Sequence, residues 1–142
     1  MKRSPRIPAL LALAVTLAAP AAYAEDDPVA RHLFPPELVM AHQQEIGLSA
    51  AQRDAVKAAI GEAQSLFLDL QWEVQAQASA LGKLLAQSPV DEEAALAEAE
   101  RLMALEARVK RAQLALLIRI KNVLTPVQQE RLQELRRAGQ GG

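Results

Sequence analysis

Residues 76–105, AQASALGKLLAQSPVDEEAALAEAERLMAL, contain the one interruption between two long runs of helix-forming residues. The interruption is Ser88-Pro89-Val90-Asp91. Proline disfavours helical backbone in the residue before it, so the first helix should end before Pro89. Asp91 and the two glutamates after it have the composition of a helix N-cap and first turn, where carboxylates are favoured. The sequence therefore predicts two helices that fold back on each other as an antiparallel hairpin.

Both flanks of this reversal have the pattern of long amphipathic helices. Neither 37–88 nor 90–125 contains a proline, and apolar residues recur in both at steps of three or four. The first apolar stripe comprises Val56, Ile60, Ala63, Phe67, Leu70, Val74, Ala78, Leu81 and Leu85. The second comprises Leu102, Leu105, Val109, Ala112, Leu116, Ile120 and Val123. We therefore predict an all-α fold built on one long helical hairpin.

Two short helices should flank the hairpin. The first is predicted from Pro36 to Ile46, and the second from Thr125 to about Ala138. Together with the hairpin they form a predicted helical domain over residues 36–137. Residues 25–35 and the glycine-containing tail 138–142 are predicted to be flexible.

Several large apolar residues lie off the two stripes. They are Leu66, Leu68, Trp72 and Leu84 on the first long helix and Leu114, Leu117 and Ile118 on the second. Two copies that share a face would bury what one hairpin leaves exposed, so we predict a homodimer. A simple coiled coil is the alternative interpretation of the same stripes.

The N-terminus has the parts of a secretory signal peptide. Basic residues precede an apolar run over 7–19, and Ala22-Tyr23-Ala24 has the small-x-small pattern that a signal peptidase accepts. The apolar run is shorter than the roughly 20 residues that a membrane-spanning helix needs, which disfavours the alternative of a retained anchor. We therefore predict that residues 1–24 are removed and that the protein is soluble in the periplasm.

The composition excludes several kinds of chemistry. The chain has no cysteine, which removes disulfides, thiolate metal ligands, a catalytic thiol and the lipid-modified cysteine of a lipoprotein. Its only histidines are His32 and His42, and its serines fit helix caps or helix surfaces. We therefore predict a protein that is not an enzyme and uses no cofactor.

Charge is distributed unevenly along the chain. Residues 25–107 carry 5 basic and 15 acidic side chains, whereas residues 108–142 carry 8 basic and 2 acidic ones. Antiparallel pairing would neutralise both parts internally; alternatively, the basic part presents a surface to an acidic or unfolded partner. Nucleic acid is not an expected partner, because an exported chain with so few aromatic residues lacks a stacking surface.

One five-residue pattern occurs twice. Leu48-Ser49-Ala50-Ala51-Gln52 and Leu124-Thr125-Pro126-Val127-Gln128 both read Leu, Ser or Thr, any two residues, Gln. Each is predicted to be a capping box, in which the hydroxyl and the glutamine bond each other's backbone N–H groups at a helix start. The hydroxyl is expected to contribute more to stability than the glutamine.

With these two motifs the chain resembles the Spy/CpxP family of periplasmic stress proteins, whose hallmark is a pair of LTxxQ motifs in an all-helical dimer. The resemblance covers about residues 36–137, and Ser49 departs from the pattern conservatively. It implies a cradle-shaped homodimer that binds unfolded or misfolded proteins without ATP, and a membrane signalling protein as a further partner. Related branches of the family bind or sense metal ions.

The sequence contains only some of the ligands that a member of the metal-sensing branch would need. His42 and Glu45, three residues apart, share a helical face and are the candidate metal ligands. The stretch 116–122, just before the second motif, offers no strong ligand, and Met103 is assigned to the helical core. A heavy-metal sensor or metal-resistance protein is therefore the alternative function.

A basic and apolar stretch supports the other function. No acidic residue lies between Arg108 and Lys121. The candidate client-binding residues are Arg108, Lys110, Arg111, Leu114, Leu117, Ile118 and Lys121. Such a surface can hold flexible chains by long-range attraction and weak apolar contact. The sequence thus favours an ATP-independent chaperone-like protein, and pairing of the same cations with the acidic half is the structural alternative.

Overall fold

The computed structural model of the protein describes residues 27–141, so the predicted signal peptide, residues 1–24, lies outside it. Within this range the chain forms a 3-10 turn and four α-helices, and no strand. The turn is Ala30–His32, and the helices are α1 (Pro36–Ala41), α2 (Ala50–Leu85), α3 (Glu92–Val123) and α4 (Pro126–Gln140). The predicted all-α fold is confirmed.

Helices α2 and α3 form the predicted hairpin and pack against each other along their length. They contain 36 and 32 residues. The Asp91 carboxylate caps α3 by accepting a hydrogen bond from the backbone N–H of Ala94 at 3.0 Å. As the sequence predicted, α2 ends before Pro89 and α3 begins directly after Asp91.

The packed stripe of α2 differs from the predicted one at its C-terminal end. Gln77 and Leu84 are half-buried in the interface, whereas Ala78 and Leu85, which the sequence analysis assigned to the stripe, are exposed. Two long helices stay in contact only if the stripe alternates steps of three and four, because this follows their mutual winding. The predicted stripe took two consecutive steps of four from Leu70, which placed Ala78 in it by mistake. Leu81 is half-buried as predicted, but the further step of four to Leu85 left the interface again.

The stripe of α3 is confirmed at every predicted position, since each of its seven residues is buried or half-buried. Two neighbouring residues behave otherwise than expected. Leu117, expected to lack a partner, is buried, and Met103, assigned to the core, is 57% exposed. Leu117 lies near the end of the hairpin where other elements pack on α3, whereas Met103 lies where nothing covers the hairpin.

The main core lies at one end of the hairpin, away from the reversal. The start of α2 and the end of α3 meet the N-terminal segment, α1 and α4 there. The cluster of buried residues comprises Phe34, Val39, Ile46, Val56, Ile120, Leu124 and Leu132. This core end brings together both repeated motifs.

The segments around α1 differ from the prediction. Residues 27–35, assigned to a flexible segment over 25–35, include Leu33 and Phe34, which are buried in the core end. Helix α1 stops at Ala41 instead of Ile46, and turns over 42–47 reach Gly47, whose φ of +62° only glycine adopts at low cost. Helix α4 continues to Gln140, beyond its predicted end. No helix of the described range is long and apolar enough to cross a membrane.

Candidate functional site

Both repeated motifs form the predicted capping boxes. The Ser49 hydroxyl accepts from the Gln52 backbone N–H at 3.1 Å, and the Gln52 side chain accepts from the Ser49 backbone N–H at 3.1 Å. In the second motif the corresponding bonds of Thr125 and Gln128 are 3.2 and 2.9 Å long. Each box satisfies backbone donors that the first turn of a helix leaves without partners.

The two glutamines also bond each other. The Gln52 Nε2 donates to the Gln128 Oε1 at 2.7 Å, and the Gln128 Nε2 donates to the Gln52 Oε1 at 2.9 Å. The Gln52 amide donates further to the Val123 carbonyl, and the Gln128 amide to the carbonyl of Ile46. We call this arrangement the glutamine clasp.

The clasp joins four parts of the chain at the core end. It links the turns before α2, the start of α2, the end of α3 and the start of α4. Leu48 and Leu124, the first residues of the motifs, are half-buried and buried beside it. The sequence predicted each cap separately, but it contained no sign that the two motifs face each other. The motif residues are therefore architectural, and they fix how the helices meet.

His42 and Glu45, the candidate metal ligands, lie on the turns between α1 and α2. The His42 Nδ1 hydrogen-bonds the Glu45 Oε2, and the two side chains are part-exposed. Met40 lies on α1 and is exposed, whereas His32 lies on the 3-10 turn, where its Nε2 accepts from the Arg31 Nε at 3.3 Å. The structure thus joins the predicted pair but adds no third donor from these residues.

The predicted client-binding residues do not form one surface. Arg108 pairs with Glu73 of α2, as the internal-pairing alternative requires, and Arg119, a further cation of the same basic stretch, pairs with Glu62. The Lys121 Nζ donates to the backbone carbonyl of His32 at 2.8 Å.

Four members of the predicted set stay on the outer edge of α3. Lys110, Arg111, Leu114 and Ile118 are exposed, and their spacing places them on one side of the helix. We call these four residues the α3 edge.

A family model described as heavy-metal resistance matches residues 9–138. The chain belongs to the heavy-metal resistance family. This membership confirms the resemblance carried by the two motifs, because the family is part of the same LTxxQ helical superfamily. No curated protein and no solved structure matches the chain significantly.

Because the family is described by heavy-metal resistance, it matters which side chains of this protein could bind a heavy-metal ion. Within residues 27–141, no group of three or more His, Asp or Glu side chains is placed to hold a metal ion. Structural sites for such ions use about four nitrogen or sulfur ligands, and this chain has two histidines and no cysteine. Among the described residues, His42 and Glu45 would supply two donors to such an ion.

A second apolar patch lies on the other long helix. Leu68 is 57% exposed and Trp72, one turn further along α2, is 72% exposed. The sequence predicted both as residues without a partner in the hairpin. We call these two residues the α2 edge.

The sequence analysis missed the role of α4 in this family member. Arg136 and Gln133 of α4 donate to backbone carbonyls of residues 31–33, and Arg136 also covers the Phe34 ring. The signal available in the sequence was the apolar pair Leu33-Phe34 before two prolines, which is unusual for a flexible segment.

Proposed function

We propose that this member of the heavy-metal resistance family is a periplasmic, non-enzymatic protein that binds unfolded clients without ATP. The observation that carries the proposal is the α3 edge, where two exposed cations are followed along the helix by two exposed aliphatic side chains. Leu114 and Ile118 are 40% and 44% exposed. Lys110 and Arg111 form no ion pair within residues 27–141, so their charge stays available to a partner.

The chemistry of this edge suits partners without fixed structure. Exposed cations attract acidic segments over a distance of about 10 Å at 0.1 M salt. Contact with Leu114 and Ile118 then removes apolar surface from water, worth about 25 cal/mol per Å² buried. Neither interaction requires one geometry, so chains of many sequences can bind weakly and release.

The α2 edge extends the same property to the opposite side of the hairpin. Trp72 offers a large apolar face with a polar tip, a combination that is common in adaptable binding surfaces. Asp69 lies beside it and forms no ion pair within residues 27–141, so this edge carries an acidic group where the α3 edge carries basic ones. A flexible client therefore meets both signs of charge beside apolar side chains.

The first experiment measures suppression of client aggregation by the purified protein. Reversing both cations of the α3 edge, Lys110→Glu with Arg111→Glu, should weaken suppression several-fold because acidic segments of the client are then repelled. Arg137→Glu is the matched control, since Arg137 is an exposed cation of α4 outside the edge. Added salt should weaken the unchanged protein in the same direction.

A second pair of variants tests the apolar component. Leu114→Ser with Ile118→Ser should reduce suppression at all salt concentrations, while the control Val127→Ser, which removes an apolar side chain that is 74% exposed on α4, should not. An unchanged protein that fails to suppress aggregation of any of several unfolded clients would contradict the proposed function.

The second candidate function is metal-linked resistance, and the His42–Glu45 contact favours it. Two copies would bring four donors if their α1 ends met. Calorimetric titration with nickel, zinc and copper should then give saturable uptake, which His42→Ala with Glu45→Ala abolishes and His32→Ala leaves intact. Absence of saturable uptake would remove this candidate.

A further inference from the structure

Residues 31–34 lie in a groove formed by α3 and α4, and side chains hold their main chain there. The Lys121 Nζ donates to the His32 carbonyl at 2.8 Å, and the Gln133 Nε2 donates to the Arg31 carbonyl at 2.7 Å. Arg136 donates to the Leu33 carbonyl through Nη2 and to the Arg31 carbonyl through Nη1. Three consecutive backbone carbonyls are thus bound by side chains.

The same groove contains an aromatic pocket. The Phe34 side chain is 1% exposed and packs into the core end with Ile120 and Leu132. The Arg136 guanidinium lies 5.3 Å from the centre of its ring, within the range of a cation–π contact. Burial lowers the pKa of the Arg136 guanidinium, which nevertheless stays charged because its ordinary pKa is so high.

Most polar contacts to residues 31–34 are made to backbone carbonyls, so they do not depend on which side chains the bound segment carries. Carbonyl oxygens are common to every peptide, so the sequence preference comes from the two buried side chains, Leu33 and above all the Phe34 ring. The backbone N–H groups of Arg31, His32 and Leu33 bond within the segment, to carbonyls of residues 27–30. No helix or sheet ladder ties the segment to the hairpin, so its attachment depends on the groove.

We propose that this groove is a peptide-binding site, which residues 31–34 occupy as an internal ligand. Its external ligand is an unfolded chain with an aromatic residue preceded by free carbonyls. The identification of that ligand class rests on the proposed function, whereas the groove itself rests on the contacts above. The groove is separate from the α3 edge, because Lys121 and Arg136 are already committed to residues 31–33.

The test uses a fluorescein-labelled peptide of residues 27–36, DPVARHLFPP, and the purified protein. In the Phe34→Ala protein the internal ligand loses its ring, so the groove should bind the added peptide on the order of tenfold or more tightly than the unchanged protein does. The reason is that a tethered segment competes at an effective concentration near millimolar. Val29→Ala, which removes an exposed side chain of the same segment, should bind as the unchanged protein does.

Two controls assign the binding to the groove. The same peptide with Phe34→Ala should not bind. In the Phe34→Ala protein, a further Arg136→Gln change should abolish the gain, while Arg137→Gln should preserve it. Circular dichroism checks that each variant stays helical. Phe34→Leu fills most of the pocket and protects the fold, and it should give a smaller gain in the same direction.

A helical Phe34→Ala protein without a gain would overturn the proposal. If that variant does not fold, Phe34→Leu decides in its place, and an affinity equal to that of the unchanged protein overturns the proposal. This failure is distinguishable from failure of the proposed function. Client suppression that depends on the α3 edge can persist without peptide binding in the groove, and the peptide can bind in the groove of a protein that suppresses no aggregation.

Discussion

At the scale of single residues, Gln52 and Gln128 each make two kinds of hydrogen bond. Each accepts the N-cap N–H of its own helix start and also bonds the other across the fold. Gln128 is 9% exposed, so its polar atoms depend on these partners instead of water. The sequence predicted that the glutamines contribute less to stability than the capping hydroxyls. With these contacts, we expect Gln128 to contribute more than Thr125.

We predict that Gln128→Ala lowers the free energy of unfolding by about 2 to 3 kcal/mol, because it removes the bonds to the buried Ile46 carbonyl and to the half-buried Gln52 amide. Thr125→Ala should cost about 0.5 to 2 kcal/mol through the lost cap. Urea unfolding followed by circular dichroism measures both. Gln64→Ala, an exposed glutamine of α2, is the control and should change little. A Gln128→Ala protein as stable as the control would contradict the clasp.

At the scale of helices, the hairpin combines an apolar stripe with polar contacts that mark its register. Gln77 donates to Glu98 across the interface, and Glu62–Arg119 and Glu73–Arg108 bridge the two helices on one side. The side chains of both ion pairs are about half exposed or more, so water screens them and each pair contributes about 0 to 1 kcal/mol. Apolar packing therefore supplies most of the stability of the hairpin.

Two leucines of α2 test this assignment. Leu70 is 1% exposed and Leu68 is 57% exposed. We predict that Leu70→Ala lowers the free energy of unfolding by about 2 to 5 kcal/mol, whereas Leu68→Ala changes it by about 0.5 kcal/mol or less. Thermal or urea unfolding of the matched pair measures the difference. Equal costs would mean that α2 is rotated relative to the described register.

Ion pairing between the helices gives a second prediction at this scale. Glu73→Gln removes the charge that meets Arg108 and keeps the size of the side chain. The expected loss is about 1 kcal/mol or less, and it should shrink further in high salt. A loss above about 2 kcal/mol would show that the pair is more shielded from water than its exposure indicates.

At the scale of the whole molecule, the core end and the rest of the hairpin differ in how many segments pack together. Five segments meet at the core end, whereas only two helices face each other towards the reversal. Small residues leave a hollow of about 180 Å³ on one side of the hairpin, lined by Ala59, Ala63, Leu66, Ala112, Ala115 and Leu116 together with the Glu62–Arg119 pair. The exposed apolar residues of the middle of the hairpin remain without cover in one copy.

We predict that the protein is a homodimer at tens of micromolar, because a second copy would cover Leu66 and the hollow beside it while leaving the α2 and α3 edges free for clients. Light scattering of the purified protein measures the mass in solution. Leu66→Asp should shift the equilibrium towards the monomer, since Leu66 is 43% exposed beside the hollow. Val127→Asp is the control. A monomeric unchanged protein would contradict the prediction.

The sequence by itself determined the helices, where each begins, and where the two long helices end. The proline and aspartate of the reversal, the two capping boxes and the stripe of α3 follow local rules of backbone geometry and helical period. Those rules need only neighbours within about four residues, so they can be read from the sequence. The all-α fold and the hairpin follow from them.

Only the tertiary structure decided which separate parts of the chain meet. The glutamine clasp joins residues 52 and 128, and the groove joins Arg136 to a segment near residue 33. Some cations of the basic stretch of α3 bond α2 or the N-terminal segment, because those elements lie against them. The others remain exposed on the α3 edge. Local periodicity places a side chain on a face of its own helix, but the partner of that face depends on packing between distant segments.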